Sequence, residues 1–255
     1  MKKSIVDTIY AAQKYAQEIT KVTETHKAFS VEDAYGYQRE LIDRYLREGS
    51  KVSGYKMGLT SREKMVQMGV NAPIYGVLLE EMDLKGSPLA VKSLIHPKAE
   101  PEIAVLLKAD VAPDASIEEM EKAIGWIAPA IEIIDSRYKD FKFTMPDVVA
   151  DNCSSAKYEI GEWLSYPIKG VHINEITVKL LINGELKAEG PATAVLGSPL
   201  LSLREQQLSL AKAGTQLKKG QLILTGAITV AMMLAPGDLV RVDTNHLGSV
   251  SIQCE

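Results

Sequence analysis

The stretch Glu100-Pro101-Glu102-Ile103-Ala104-Val105-Leu106-Leu107 decides how the chain is read. It is a short, largely apolar run and reads as a β-strand. Side chains two apart on a strand share a face, so Glu100 and Glu102 converge. Pro101 points away from them and lacks a backbone donor, which suits a strand start or edge. A second apolar run, Pro129-Ala130-Ile131-Glu132-Ile133-Ile134-Asp135, reads as another strand with Glu132 at its centre. A carboxylate flanked by Ile131 and Ile133 is expected to be buried. Left unpaired there it would take up a proton, so an arginine, a lysine or a metal cation must compensate it. Three carboxylates suit a hard ion with oxygen ligands, Mg²⁺ or Mn²⁺ rather than Zn²⁺. Spacing alone also allows the plainer reading of a solvated strand face at Glu100 and Glu102, with Glu132 paired to a lysine.

Outward from these strands the pattern is mixed. Short β-rich runs at 102–107, 130–134, 177–182, 221–225 and 239–242 dominate the chain beyond Ile95. Asn183-Gly184 follows an alternating run and fits a hairpin turn, and Pro236-Gly237-Asp238 reads as a turn before a strand. Helical runs are expected at 61–68, 117–127 and 201–213. The first fifty residues read as helical, with Ile5, Ile9, Ala12 and Tyr15 at one spacing and Tyr37, Leu41 and Tyr45 at another. Ser30 and Asp33 resemble a capping box, and Gly49 is a plausible stop. The expected fold is α+β: a helical region over 1–50, then one continuous β-rich catalytic body over 51–255.

Composition narrows the classes. The chain has 255 residues and a formal net charge of −4, with both signs mixed along it. No basic stripe points to nucleic acid and no polybasic run to an anionic membrane. The N-terminus lacks an uninterrupted apolar segment and does not read as a signal peptide. Two distant cysteines, Cys153 and Cys254, make neither a disulfide framework nor a zinc knuckle, so a reduced cytoplasmic setting is expected. Cys153 has no electropositive surroundings legible in the sequence, His26, His172 and His246 form no ligand pattern, and His96 beside the glutamates reads as a packed or exposed histidine or as a support behind the metal ligands. The run Val149-Ala150-Asp151-Asn152-Cys153-Ser154-Ser155 reads as polar residues after an apolar strand. It either offers donors to a carboxylate or forms a capped turn. Thr225 and Gly226 admit the same use, since glycine allows close backbone approach.

Several blocks carry a resemblance. Gly54-Tyr55-Lys56-Met57-Gly58-Leu59-Thr60-Ser61 is followed by Gln67-Met68-Gly69-Val70 and Pro73-Ile74-Tyr75-Gly76. His96-Pro97-Lys98-Ala99-Glu100-Pro101-Glu102 comes next, then Glu132-Ile133-Ile134-Asp135-Ser136-Arg137, Val149-Ala150-Asp151-Asn152 and Leu224-Thr225-Gly226. Ala235-Pro236-Gly237-Asp238 and Leu247-Gly248-Ser249-Val250 complete the series. In this order they resemble the 2-hydroxypentadienoate hydratase and 4-oxalocrotonate decarboxylase family, within the fumarylacetoacetate hydrolase superfamily.

The resemblance implies that superfamily's mixed β-sheet roll or sandwich, and a metal site at Glu100, Glu102 and Glu132 holding Mg²⁺, with Mn²⁺ as an alternative. It implies a catalytic Lys56, which on its own would read as a surface lysine. Substrate contacts are implied at Leu59, Tyr75, Asp151, Asn152, Ser155, Thr225 and Gly226. Hydratases of the family typically carry an acidic residue in the block where this chain has Ile74, so the decarboxylase branch is the expected one. That branch implies Mg²⁺-dependent decarboxylation of 2-oxohex-3-enedioate in catechol meta-cleavage, by a homo-oligomer or in complex with the hydratase. The alternatives are the hydratase itself, and a non-catalytic partner of that enzyme.

Overall fold

The computed structural model describes residues 4–26, 29–61, 65–66 and 72–255. Most of the helix expected over 61–68 and the block Gln67-Met68-Gly69-Val70 lie outside the described residues. Helices α1 (Ile5–Lys14), α2 (Val22–Thr25) and α3 (Val31–Arg47) lead into strands β1 (Val52–Gly58) and β2 (Ile74–Leu79). The long strand β3 (Lys98–Leu107) is joined through α4 (Ile117–Ala123) to β4 (Ile124–Ile134). Then come α5 (Met145–Ala150), β5 (Ser155–Ile160), β6 (Leu164–Ser165), β7 (Thr177–Ile182), β8 (Glu185–Pro191) and α6 (Pro199–Lys212). The chain closes with β9 (Leu222–Leu224), β10 (Met232–Met233), β11 (Leu239–Thr244) and β12 (Ser249–Gln253). No helix among the described residues is long and apolar enough to cross a membrane.

The strands form two sheets. The larger runs β2-β1-β9-β3-β4-β5, with β10 also on β3 and β6 on β4; the smaller runs β12-β11-β7-β8. Most pairs are antiparallel, and β1 with β9 is parallel, so the larger sheet is mixed, as expected. Residue alternation gives it two unlike faces. Ile103, Val105, Ile131, Ile133 and Ile223 pack with Val178, Leu180, Val240, Val242 and Val250 in one apolar core between the sheets. The opposite face carries Lys56, Glu100, Glu102 and Glu132 and the larger Leu78, Leu222, Leu224 and Tyr158, together with Gly54, Gly76, Ala104, Ala128 and Ala130. These small residues let the sheet curl until its ends meet. The position of a Cβ on Gly76 of β2 lies only 2.7 Å from Ser155 Oγ of β5.

The helices pack over one end of this roll. Ile5, Ile9, Val22, Ala34 and Leu41 share a core with Ile74, Tyr138, Met145 and Val149. The α3 capping box forms as read: the Asp33 N–H donates to Ser30 Oγ, and the Ser30 N–H donates to the Asp33 carboxylate. The hairpin turn at Asn183-Gly184 also forms, with both residues at positive φ, which its handedness demands.

Four local expectations need correction. The helix over 117–127 stops at Ala123, because Ile124 already pairs with Leu107 of β3. Tyr15 leaves the apolar face of α1: it caps the helix and is 71% exposed. Pro101 lies on an interior strand, opposite Ile131. It is tolerated because β3's other neighbour changes from β9 to β10 around it, and only its carbonyl is used, accepting from Ile228 N–H. The polar run from Asp151 follows helix α5, not a strand.

Gly54 shows how tightly the roll is drawn. An added Cβ would sit 1.8 Å from the backbone oxygen of Leu222. Gly54→Ala is therefore expected to force β1 and β9 apart and to lower unfolding free energy by about 1–3 kcal/mol or more, read from a urea titration.

Candidate metal centre

Strand register assembles the site. Glu100 of β3 lies opposite Glu132 of β4, and Glu102 follows two residues along on the same face. One carboxylate oxygen from each of the three lies within 4.8 Å of the others. Glu102 and Glu132 are fully buried and Glu100 is 8% exposed. Lys56 reaches them from β1, across β9, where it pairs with Leu224. It is 2% exposed, and its Nζ lies 3.0 and 3.1 Å from Oε1 and Oε2 of Glu132.

The electrostatics are severe. Three carboxylates against one ammonium leave two formal negative charges where water cannot screen them. Burial pushes Glu102 well above the ordinary carboxylate range, with Glu132 and Glu100 adding to the shift and Lys56 opposing it. Glu132 is raised by burial, against the pull of Lys56. Burial also works against the charge of Lys56, but Glu132, Glu100 and Glu102 outweigh it and hold the ammonium more firmly than in water. Glu102 Oε2 accepts a 2.7 Å hydrogen bond from Gly226 N–H, while its Oε1 is buried with no hydrogen-bond partner among the described residues. A buried, orphaned carboxylate oxygen, an oxygen-only donor set and a double negative charge together fit a hard divalent cation.

The other expected site residues are placed as follows. The Asp151 carboxylate is engaged by Arg137, whose Nε lies 2.5 Å from Oδ1 and whose Nη2 donates to the Asp151 carbonyl. Burial lifts Asp151 to about 6, with Arg137 pulling it down. The Asn152 amide is occupied by both backbone groups of Val77. The Thr225 side chain and N–H both donate to the Ile103 carbonyl. Ser155 Oγ is buried beside Gly76 and has no hydrogen-bond partner among the described residues. Tyr75 stacks on Tyr35 at 4.7 Å between ring centres, and Leu59 holds a positive φ just after β1. His96 uses its backbone N–H on Asp135 and its ring near Glu18. Cys153 and Cys254 are unpaired and buried, and burial pushes the Cys153 thiol up to about 12, away from any nucleophilic use. Surface grooves of about 910 Å³, around Tyr35 and Ile74, and about 680 Å³, around Tyr158 and Lys219, are not lined by the three glutamates.

Two roles escaped the sequence reading, which names Gly226 and Asp151 only as substrate contacts. Gly226 holds Glu102 through its N–H, at a φ of 114° and so close to Thr60 that a Cβ would lie 2.5 Å from that side chain. The Arg137–Asp151 pair sits beneath the site as a second buried ion pair. A Thr-Gly at a strand end is a faint signal for the first. No local signal pairs residues 137 and 151.

Residues 82–254 match the family model for the C-terminal region of fumarylacetoacetate hydrolase. A 4-oxalocrotonate decarboxylase of Pseudomonas putida is 41% identical over 97% of this chain and 94% of its own length. A 2-keto-4-pentenoate hydratase of Paraburkholderia xenovorans is 31% identical over 100% of this chain and 95% of its own. The solved structure of 4-oxalocrotonate decarboxylase from Pseudomonas putida G7, complexed with magnesium and adipate, superposes with a TM-score of 0.93. It is 38% identical, covering 98% of this chain and 96% of that one.

Glu102→Gln keeps an acceptor for Gly226 and removes one buried charge. Its metal-free form is expected to melt at or above the wild-type temperature, and to lose the rise that Mg²⁺ gives the wild type. That rise corresponds to about 2.7 kcal/mol at a hundredfold excess over the dissociation constant. Differential scanning calorimetry with and without Mg²⁺ reads both effects.

Proposed function

Because the chain belongs to the fumarylacetoacetate hydrolase family, we propose that it uses this centre as a Mg²⁺-dependent 4-oxalocrotonate decarboxylase, converting 2-oxohex-3-enedioate to 2-hydroxypenta-2,4-dienoate and CO₂. The observation that carries the reading is the buried trio Glu100, Glu102 and Glu132 with the Lys56 ammonium against it. The 41% identical decarboxylase supports the choice of substrate, and the hydratase relative stands further off at 31%.

In the reaction the bond from C5 to the C6 carboxylate breaks. Its electron pair moves through the C3–C4 double bond to the C2 oxygen, and one proton then completes the dienol. Glu100, Glu102 and Glu132 would hold the ion. A bound Mg²⁺ would supply Lewis-acid stabilisation of charge on the 2-oxo acid end. Lys56 is kept charged by its carboxylate neighbours, so it is suited to stabilise the developing enolate electrostatically. Gly226 N–H fixes the orientation of Glu102. The sequence difference that bears on the branch is Ile74, which packs with the helical core. Ile74 lies opposite Gly58, two residues from the Lys56–Gly76 pair, on the Lys56 face of the sheet, and it is buried. An isoleucine there has no acid or base to add water across the diene, which separates this reading from a hydratase.

The same reading extends to its surroundings. Substrate and product are small water-soluble acids, in keeping with a cytoplasmic enzyme. The reactive dienol suits direct transfer to a hydratase in a shared oligomer, which co-purification and sedimentation measure.

CO₂ release from 2-oxohex-3-enedioate is expected with Mg²⁺, to vanish with chelator and to return with Mg²⁺ or Mn²⁺. Lys56→Met is expected to lower kcat at least ~100-fold, equivalent to about 2.7 kcal/mol, while Mg²⁺ still raises the melting temperature. Metal-independent CO₂ release would end the proposal. So would efficient hydration of 2-hydroxypenta-2,4-dienoate to 4-hydroxy-2-oxopentanoate with no CO₂ release from the dicarboxylate.

A further inference from the structure

Strand β2 ends the path of the larger sheet, and its strand partner is β1. A terminal strand presents every second residue's N–H and C=O outward, and buried groups of this kind need partners. Here the outward residues are Tyr75 and Val77, and side chains serve both. Tyr75 N–H donates to the Tyr35 hydroxyl at 3.3 Å, and its carbonyl accepts from Gln38 Nε2 at 3.0 Å and from Cys153 Sγ at 3.0 Å. Val77 N–H donates to Asn152 Oδ1, and Asn152 Nδ2 donates back to the Val77 carbonyl, both at 2.8 Å. Gln38 is 1% exposed and binds the Val149 carbonyl as well, so it ties β2 to α5. These side chains form a surrogate strand along a seam where the sheet would otherwise be open.

The residue between the two clamped positions is Gly76, the cross-strand partner of Lys56. It has no room for a side chain: a Cβ would lie 2.8 Å from the Asn152 carbonyl oxygen. The clamp on the Asn152 side is itself forced into place. Asn152, Cys153 and Ser154 hold φ values of 50°, 54° and 59°, three consecutive left-handed residues that are not glycine. Such backbone persists only where surrounding contacts over-determine it. On its other side β1 is held by the short parallel pairing of Gly54, Tyr55 and Lys56 with β9. The depth at which Lys56 meets Glu132 therefore depends on where β2 is fixed.

We propose that Gln38, with Tyr35 and Asn152, is a positioning residue that sets the height of β2 and, through Gly76, places the Lys56 ammonium against Glu132. The consequence for turnover rests on the decarboxylase reading; the clamp itself does not.

The test uses the full-length protein with Mg²⁺ and the isosteric apolar variant Gln38→Met. The expected result is a kcat lower by ~10–100-fold, because misplacement by about 1 Å is worth a factor of that order. KM for 2-oxohex-3-enedioate and Mg²⁺ affinity should both stay within about threefold, as expected of a positioning effect on the reacting step. Hydrogen–deuterium exchange over 74–79 should quicken. A folded Gln38→Met with wild-type kcat overturns the positioning role, even at a lowered melting temperature. If Gln38→Met does not fold, Tyr35→Phe carries the same test, since it keeps the ring stack and removes the acceptor for Tyr75 N–H. If the wild type releases no CO₂, the decarboxylase reading fails by itself. The clamp is then judged by exchange alone, and unchanged exchange over 74–79 overturns it.

Discussion

The structure is arranged around one costly contact, the Lys56 ammonium within 3.1 Å of both Glu132 oxygens, inside a set of three carboxylates. Removing one partner of such a pair typically costs about 3–5 kcal/mol, because the other is left charged and dry. The fold compensates the trio from two directions and leaves charge over. Lys56 comes from β1, the Gly226 N–H comes from the loop after β9, and the remaining negative charge matches a divalent ion. None of these groups is near the glutamates in sequence. Sheet register alone brings them together.

That register requires a curl, and the curl dictates composition on one face of the larger sheet. Alternation places branched aliphatics toward the smaller sheet, where Ile103, Val105, Ile131 and Ile133 supply the hydrophobic stabilisation. The other face carries the charges beside Leu78, Leu222, Leu224 and Tyr158, with Gly54 and Gly76 where backbones approach most closely. A second buried pair, Arg137 with Asp151, lies under the turn that closes it. Arg137 also donates to the Ser155 carbonyl, so this pair anchors the start of β5 and the turn carrying Asn152. The two ion pairs thus differ in use. One has all its hydrogen-bonding partners inside the protein. The other leaves Glu102 Oε1 without a hydrogen-bond partner among the described residues, which suits a ligand to a cation.

Local chemistry was legible wherever a short segment settles its own conformation. The i, i+2 spacing of Glu100 and Glu102, the central Glu132, the Ser30–Asp33 box and the Asn183-Gly184 turn all form as their residues imply. What failed depended on partners far along the chain. Ile124 belongs to a strand because Leu107 waits opposite it, although its own neighbourhood reads as helix. Pro101 is interior because its neighbour strand changes at that point. The run from Asp151 stood open between donors to a ligand and a capped turn, because the partners that hold it, Arg137 for Asp151 and Val77 for Asn152, lie fourteen and seventy-five residues away. The plainer reading of the glutamates was half right: Glu132 does pair with a lysine, but inside the protein rather than at its surface.

The boundary of the family match separates two kinds of work. Residues 82–254 contain Glu100, Glu102, Glu132 and Gly226, together with both sheets' central strands. The three glutamates that would hold an ion all lie inside that span. Lys56, Gly76, Ile74, Gln38 and Tyr35 lie before it, on β1, β2 and α3. The groups that would decide what happens to a bound 2-oxo acid are therefore carried by the N-terminal third of the chain. These are the ammonium, Ile74 and the side-chain clamp on β2. A scaffold built this way can keep its metal ligands fixed while its chemistry changes through β2 alone. There an acidic residue in place of Ile74, opposite Gly58 and two residues from the Lys56–Gly76 pair on the same face, would offer a proton where this chain offers only a methyl surface.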